Sequence, residues 1–368
     1  RRKRVLVISV GVIAISLVGM FQIDSDNYLM DDLKSDEPLK LDFNFLDDHY
    51  GGVRPFELAV HLKDASLTVW DEQVLTEVEA IENYLEDSYG LEIKTSLVRT
   101  LKVMNRSSHM GDPAFFELPT SKRKLKAFRR GARIAGGGDF LKAFVDSTER
   151  IMRISGTLPD LGNKKVTQLN KKLNKFLRSK EKSGIAAYQI TGTAHLFDKN
   201  IGYLSTSLIR GLAVSILIVA FIIGLVYRSW RILLISIVPN VFPLLFIAGV
   251  MGYLGIELKT STAIIFTIAF GIAVDDTIHF LGKFKYELMQ GKGHIYALKQ
   301  SYMTTGKAMI LTTLILCAGF LLLVFSSFLG TYYMGVMLCL ALFVALIADL
   351  TLLPVLLLVF YRPNKKEH

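Results

Sequence analysis

Six apolar runs long enough to cross a lipid hydrocarbon core constrain this chain more than any other feature. They fall at roughly 5–21, 204–227, 231–254, 259–281, 306–328 and 333–361. A core of about 30 Å takes about 20 helical residues, and only helices or closed barrels satisfy their backbone there. Five of the runs follow one another closely, while residues 22–203 are polar and mixed. The sequence therefore predicts an α-helical membrane bundle of six spans plus a separate extracytoplasmic α+β domain. In this reading 1–21 is the first span, 22–203 the domain, 204–361 a five-span bundle and 362–368 a tail. The first run ends in "GMFQIDSD" without a small-x-small cleavage site, so it reads as a retained anchor.

Charge supplies the sidedness. The 368 residues carry a net +10, yet 22–203 holds 27 acidic and 27 basic side chains, so the whole excess belongs to the hydrophobic part. Its positions flank the apolar runs: Arg1, Arg2, Lys3 and Arg4; Arg228 and Arg231; Lys283, Lys285, Lys292 and Lys299; Arg362, Lys365 and Lys366. Basic loops beside spans stay in the cytoplasm. Threading the chain by that rule puts both termini and the loops 228–231 and 282–305 inside. The large domain and the links "GIELKTS" and "SSFLGTY" then lie outside. Segment 283–303 is too charged to span and reads as an interfacial helix, a helical hairpin or a plain loop. No basic-aromatic platform accompanies the positive charge, which argues against nucleic acid as a partner.

Cys317 and Cys339, the only cysteines, both fall in apolar runs, so the polar domain has no disulfide and no cysteine-based zinc site. His49, His61, His109 and His195 have no second ligand at metal spacing. "GGG" at 136–138 is not followed by Lys-Ser/Thr at P-loop spacing and reads as a flexible joint. With no Ser-His-Asp or Cys-His arrangement either, the chain reads as a non-enzyme without cofactor or metal.

Within 22–203, "PFELAVHL" (55–62), "ERIMRISGTLPD" (149–160) and "AAYQITGTA" (186–194) read as strands. "WDEQVLTEVEAIENYLEDSY" (70–89) and "VTQLNKKLNKFLRS" (166–179) carry apolar residues at helical spacing. Strand–helix–strand given twice suggests an α+β sandwich with a small sheet. Residues 24–92 hold 19 acidic and 4 basic side chains, and 94–199 hold 8 and 23. Either the two halves attract each other, or the run "SKRKLKAFRRGARI" (121–134) meets an anionic surface.

Inside the spans the charged residues are few. "GIAVDDTIHF" (271–280) sets Asp275, Asp276 and His279 within four residues, so all three lean toward one helical face. Lipid does not accept such a face, and it must meet protein or a wet cavity. Gly271, one turn earlier, leaves room there. Asp349 in "ALIADLTLLP" lies at a similar depth on the last span, so neighbouring helices would bring the acids together. Clustered carboxylates in a low dielectric favour holding a proton, which a relay requires. The alternatives are that Asp349 caps backbone or hydroxyl groups, that a fixed cation neutralises the Asp pair, and that His279 is a hydrogen-bonding anchor. Lys307, in "TTGKAMILTT", either pairs with an acid or marks the membrane boundary. Pro239 and Pro243 in "VPNVFP" and Pro354 interrupt the hydrogen-bond ladders of their spans and suit helices that hinge.

One span, a large extracytoplasmic α+β domain and five more spans, with "GIAVDDTIHF" on the fourth, resembles one half of a resistance-nodulation-division (RND) transporter. The similarity is to the branch of MmpL, hopanoid-exporter and Patched-like proteins, through "TTGKAMILTTLILCAGFLLLVFSSF" and "ALIADLTLLPVLL" as well. The Asp-Asp-Thr-Ile-His form and the short tail resemble the C-terminal half. The resemblance implies a porter-type domain, a bacterial inner-membrane location and proton-driven export of lipidic or other hydrophobic molecules, with Asp275 and Asp276 at the family's relay positions. It also implies the N-terminal half of the same transporter as a partner, and leaves open a homo-oligomer and a periplasmic or outer-membrane partner. A sterol-sensing-like lipid receptor and a SecDF-like helper of protein translocation share the same half-repeat and are the competing readings.

Overall fold

A computed structural model describes residues 2–23, 26, 28–119, 121–134 and 139–361. The joint expected at 136–138 and the tail at 362–368 lie outside the described residues. The chain divides into two compact units. Residues 1–27, 31–34 and 201–368 form the first, and 28–30 with 35–200 form the second.

Helix α1 (Arg2–Met20) belongs to the first unit. The second unit opens with α2 (Pro38–His49) and strand β1 (Arg54–Leu62), which buries Phe56, Leu58, Val60 and Leu62 on one face by simple alternation. Helix α3 (Glu72–Tyr84) runs into a π-helical turn, Leu85–Tyr89. That turn stops at Gly90, whose φ of +78° is left-handed and favours glycine. Strand β2 (Glu92–Thr95) leads to α4 (Leu97–Ser108), where the Ser96 hydroxyl accepts from the Arg99 amide at 2.9 Å as an N-cap. Then come α5 (Lys122–Ile134), α6 (Asp139–Lys142), β3 (Ile151–Leu158), α7 (Gly162–Lys180) and β4 (Ala186–Thr191).

The four strands pair antiparallel in the order β2-β3-β1-β4. The segments β1–α3–β2 and β3–α7–β4 are two split βαβ units interleaved in one sheet. Val74, Val78 and Ile81 of α3 and Val166, Leu173 and Leu177 of α7 join the buried strand residues in a single hydrophobic cluster. Each such side chain contributes roughly 1.5–3 kcal/mol by leaving water. All three expected strands and both expected helices are present, within a few residues of their expected ends. Helices α2 and α4 and strand β2 had no counterpart in the sequence reading.

The charge asymmetry of this unit is partly answered inside it. Glu86 pairs with Arg99 at 2.8 Å, Glu79 with Lys102 at 2.6 Å and Glu57 with Arg153 at 3.5 Å, each joining the acidic half to the basic half. The basic run at 121–134 folds as α5. Its Leu125 is buried, and Arg129 pairs with Glu149 while lying 5.7 Å over the Trp70 ring.

Six helices are long and apolar enough to cross a membrane among the described residues. After α1 they are α8 (Thr193–Tyr227), α9 (Trp230–Leu254), α10 (Thr260–Met289) and α11 (His294–Leu321). The last span is built from α12 (Leu329–Ile347), a π-helical turn Ala348–Leu352 and α13 (Leu353–Phe360). Of the readings for segment 283–303, the helices follow the helical hairpin: α10 and α11 continue through it and leave 290–293 as the link.

Small residues let α1 lie directly on α9. A Cβ added to Gly252 would meet the Gly19 carbonyl oxygen at 1.8 Å, and one on Gly249 would meet Ser16 Cα at 2.6 Å. The links also sort by end. Asp31 pairs with Lys259 at 3.3 Å, and the Leu329 amide donates to the Asp32 carbonyl at 2.7 Å, so the stretch after α1 meets both links expected outside. At the opposite end Tyr361 stacks on His294, with ring centroids 5.3 Å apart.

Candidate functional site

Pro239 and Pro243 sit inside α9, both buried, and neither has an N–H to return to the carbonyl one turn earlier. Asn240 lies between them, 1% exposed. Its Nδ2 donates to the Ser236 carbonyl at 2.7 Å, one turn earlier on the same span. On the last span the chain widens into the π-helical turn immediately before Pro354, the second residue of α13. Such turns recur at functional sites. Asp349 stands in that turn, 1% exposed.

Thr277 joins the two. Its hydroxyl lies 2.7 Å from Asp349 Oδ1 and 3.1 Å from Asn240 Oδ1, and the residue is fully buried. Three spans thus meet through one hydrogen-bonded line, Asp349–Thr277–Asn240–Ser236. The similar depth read for the acids brings Asp349 level with Thr277, the residue after the Asp pair. No Lys or Arg lies within ion-pair distance of Asp349, Asp275 or Asp276 among the described residues.

The hydroxyl has one proton and two acceptors. With Asp349 ionised, Thr277 donates to the carboxylate and Asn240 Oδ1 is left without a donor. With Asp349 protonated, the carboxyl donates to Thr277 and Thr277 donates to Asn240. Both states use the same atoms, and they differ only in the direction of the line.

The Asp pair is divided between faces. Ala273, Thr277 and Phe280 form the buried side of α10, and Asp276 is half-buried on its flank. Asp275 is 73% exposed and His279 71% exposed, and they approach each other at 3.4 Å. All three nevertheless line one cavity, as their spacing predicts, and they differ in depth because adjacent residues on a helix diverge by about 100°. Gly271 is exposed too, and a Cβ built on it meets nothing within 4 Å. It holds space for no helix of this chain.

Asp275, Asp276 and His279 line a cavity of about 1030 Å³ whose other wall is α11, with the hydroxyls of Thr304, Thr305 and Thr312. Lys307 does not line it. It is exposed on α11 and makes no ion pair among the described residues. The sequence reading passed over Thr277, Asn240 and Ser236. Their signal was available, since each is a hydrogen-bonding residue inside an otherwise apolar span.

Residues 151–367 match the model of the MMPL family, which covers more than half of the chain. The chain belongs to the MMPL family. It is a multi-pass membrane protein, and the similarity to RND transporters read from "GIAVDDTIHF" holds at family level. Among curated proteins, this MMPL chain is similar to the hopanoid transporter HpnN of Burkholderia multivorans. The two are 26% identical over 188 residues, which is 51% of this chain and 21% of HpnN. It is also similar to MJ1562 of Methanocaldococcus jannaschii, named as a membrane protein, with 28% identity over 129 residues, 35% of this chain and 33% of that one. The matched stretch is thus a fraction of each relative's length.

Proposed function

We propose that this chain is the proton-driven membrane half of an exporter of lipidic or other hydrophobic molecules in the bacterial inner membrane. The observation that carries the reading is the buried Asp349–Thr277–Asn240 line, which changes direction when Asp349 gains or loses a proton. Asp276 and Asp275 continue it from the interior to the cavity at the exposed face of α10. Burying an ionised carboxylate without a counter-charge is expensive, so a proton arriving at Asp349 relieves a cost and its departure restores one. The π-helical turn and the prolines of α9 lie at that spot, where the helices have slack to respond. The named activity of HpnN, hopanoid transport, makes lipids the first cargo class to test.

The face of α10 that bears Gly271, Asp275, His279 and Gly282 is too polar for lipid, and Asp275 and His279 stay exposed beside the cavity that α11 walls. A second half-transporter is the partner that would enclose it, giving Asp275 and His279 the protein surroundings that charged groups at this depth need.

The test is gradient-driven lipid export in cells carrying Asp349→Asn, Asp276→Asn or the triple variant with Asp275→Asn. Export is expected to fall to the level of the deletion while the protein still reaches the membrane. Undiminished export in the triple variant overturns the reading. Lipid binding that persists without any response to the proton gradient favours a receptor.

A further inference from the structure

Where α8 ends and α9 begins, the chain turns through two residues, Arg228 and Ser229. A cavity of about 550 Å³ lies there, bounded by this turn, by α10 and by Tyr361. Three of its lining residues are cations, Arg228, Arg231 and Lys285, and none is an acid. The one buried carboxylate nearby, Glu287, is already held by Lys283 at 2.7 Å and Lys292 at 2.6 Å. Arg228, Arg231 and Lys285 make no ion pair among the described residues. Lys285 instead lies 5.0 Å over the Tyr227 ring and donates to the Val226 carbonyl at 3.4 Å.

Two further features describe what such a cavity accepts. Arg228 has φ +47°, a left-handed conformation that glycine adopts more easily. The turn needs only the backbone, and what the arginine adds is a guanidinium at the rim. Behind the cations the wall is apolar, formed by Ile232, Leu281 and Leu288. Trp230, 79% exposed, and Tyr227 also line it, and aromatic residues of this kind recur at the level of lipid headgroups.

We propose that this cavity binds the phosphate of an anionic phospholipid, with Arg228, Arg231 and Lys285 as its ligands and the acyl chains leaving along the exposed sides of α8 and α9. Three uncompensated cations beside an aliphatic wall fit a group that is anionic at one end and apolar at the other, and basic pockets between spans bind such headgroups elsewhere. A free phosphate would use the cations but not the wall. The site is remote in sequence from the Asp349 line and does not depend on the chain moving lipid.

The chain has two tryptophans, Trp70 and Trp230, so Trp70→Phe leaves a single reporter at the cavity. In phosphatidylcholine vesicles, Trp230 emission is expected to be quenched at a several-fold lower mole fraction of phosphatidylglycerol brominated near the headgroup than of phosphatidylcholine brominated likewise. Arg228→Gln with Arg231→Gln and Lys285→Gln should make the two lipids equal, while the corresponding Arg→Lys pair should keep the preference and show that the fold tolerates change here. Equal quenching in the Trp70→Phe protein, or a preference that survives the triple Gln variant, overturns the proposal. Relief of quenching by inorganic phosphate overturns the lipid assignment and leaves a phosphate site.

Discussion

Asp160 and Asp349 are both buried acids, one in each unit, and they are held in opposite ways. Asp160 follows β3 and accepts from Arg54 at 3.0 Å and from the Leu29 amide at 2.6 Å. Arg54, 2% exposed, also pairs with Asp198 near the start of α8. The knot gathers Leu29, Asp160 and Asp198 of the same unit around Arg54, at one end of the central strands β1 and β3. Among the described residues Asp349 has no cation beside it, and its side chain is held by a hydroxyl that itself leans on an amide. A carboxylate beside a buried guanidinium is held in place, because losing its charge would remove one of the two counter-charges of Arg54. A carboxylate beside a hydroxyl has no such constraint. The first arrangement fastens, and the second is able to switch.

Removing the cation is the most severe way to test that contrast. Arg54→Gln leaves Asp160 and Asp198 without their partner and should destabilise the α/β unit by about 3–5 kcal/mol. Urea unfolding followed at Trp70, in a Trp230→Phe background, measures it. If the midpoint does not move, the knot is not what fastens the unit, and the distinction between the two acids loses one side.

Glu82 supplies an intermediate case within the α/β unit. It lies on α3, 4% exposed, with Oε1 lacking a partner, and burial pushes its carboxyl up from 4.5 to about 7 despite the nearby Ser96 hydroxyl and Lys102. The folded state therefore holds this proton more tightly than the unfolded chain. Between pH 4.5 and 7 the native protein binds it while the unfolded chain has released it, so stability falls as pH rises through that window. The loss is on the order of 3 kcal/mol, complete above the folded value. Glu82→Gln should flatten the pH dependence of the urea midpoint across the window, and a slope that survives the substitution assigns it to other groups.

Thr277→Val addresses the switching side. It removes the hydrogen bond from Thr277 to the Asp349 side chain and keeps the volume, for a cost of about 1–3 kcal/mol. Export should slow, and Thr277→Ser should restore it. Equal export in Thr277→Val and the parent would mean that the acid works without its line, which returns the role to Asp275 and Asp276 alone.

What the sequence made legible was what periodicity and hydropathy report. The six spans, the strands at 54–62, 151–158 and 186–191, and α3 and α7 all follow from one-dimensional patterns. Asp349 stood out for the same reason, as a charge in an apolar run. The partners of Asp349 did not, because Thr277 and Asn240 are ordinary residues whose meaning comes from three spans meeting at one level. Strand β2 is four residues long and takes its place from β3, so it carries little pattern of its own. Spacing of three or four residues places Asp275, Asp276 and His279 along one cavity, but it does not report depth: Asp276 is half-buried while Asp275 and His279 are exposed, because adjacent residues differ by about 100°.

The smallest expected effect lies on that outward face. Gly271 has open space where a side chain would begin, so Gly271→Ala should leave this chain's stability unchanged or raise it by up to about 1 kcal/mol through helix propensity. Gly271→Leu should also be tolerated by the chain alone, since nothing lies within 4 Å of the added Cβ. In a transporter whose other half closes over α10, the same leucine would stand where the partner's helix packs, and export would fall while thermal stability of the chain held. The pairing of outcomes carries the argument. Lost stability in the chain alone would mean that the face is filled from within. Unchanged export with leucine would mean that no helix comes close to Gly271, and Asp275 and His279 would need water rather than protein as their surroundings.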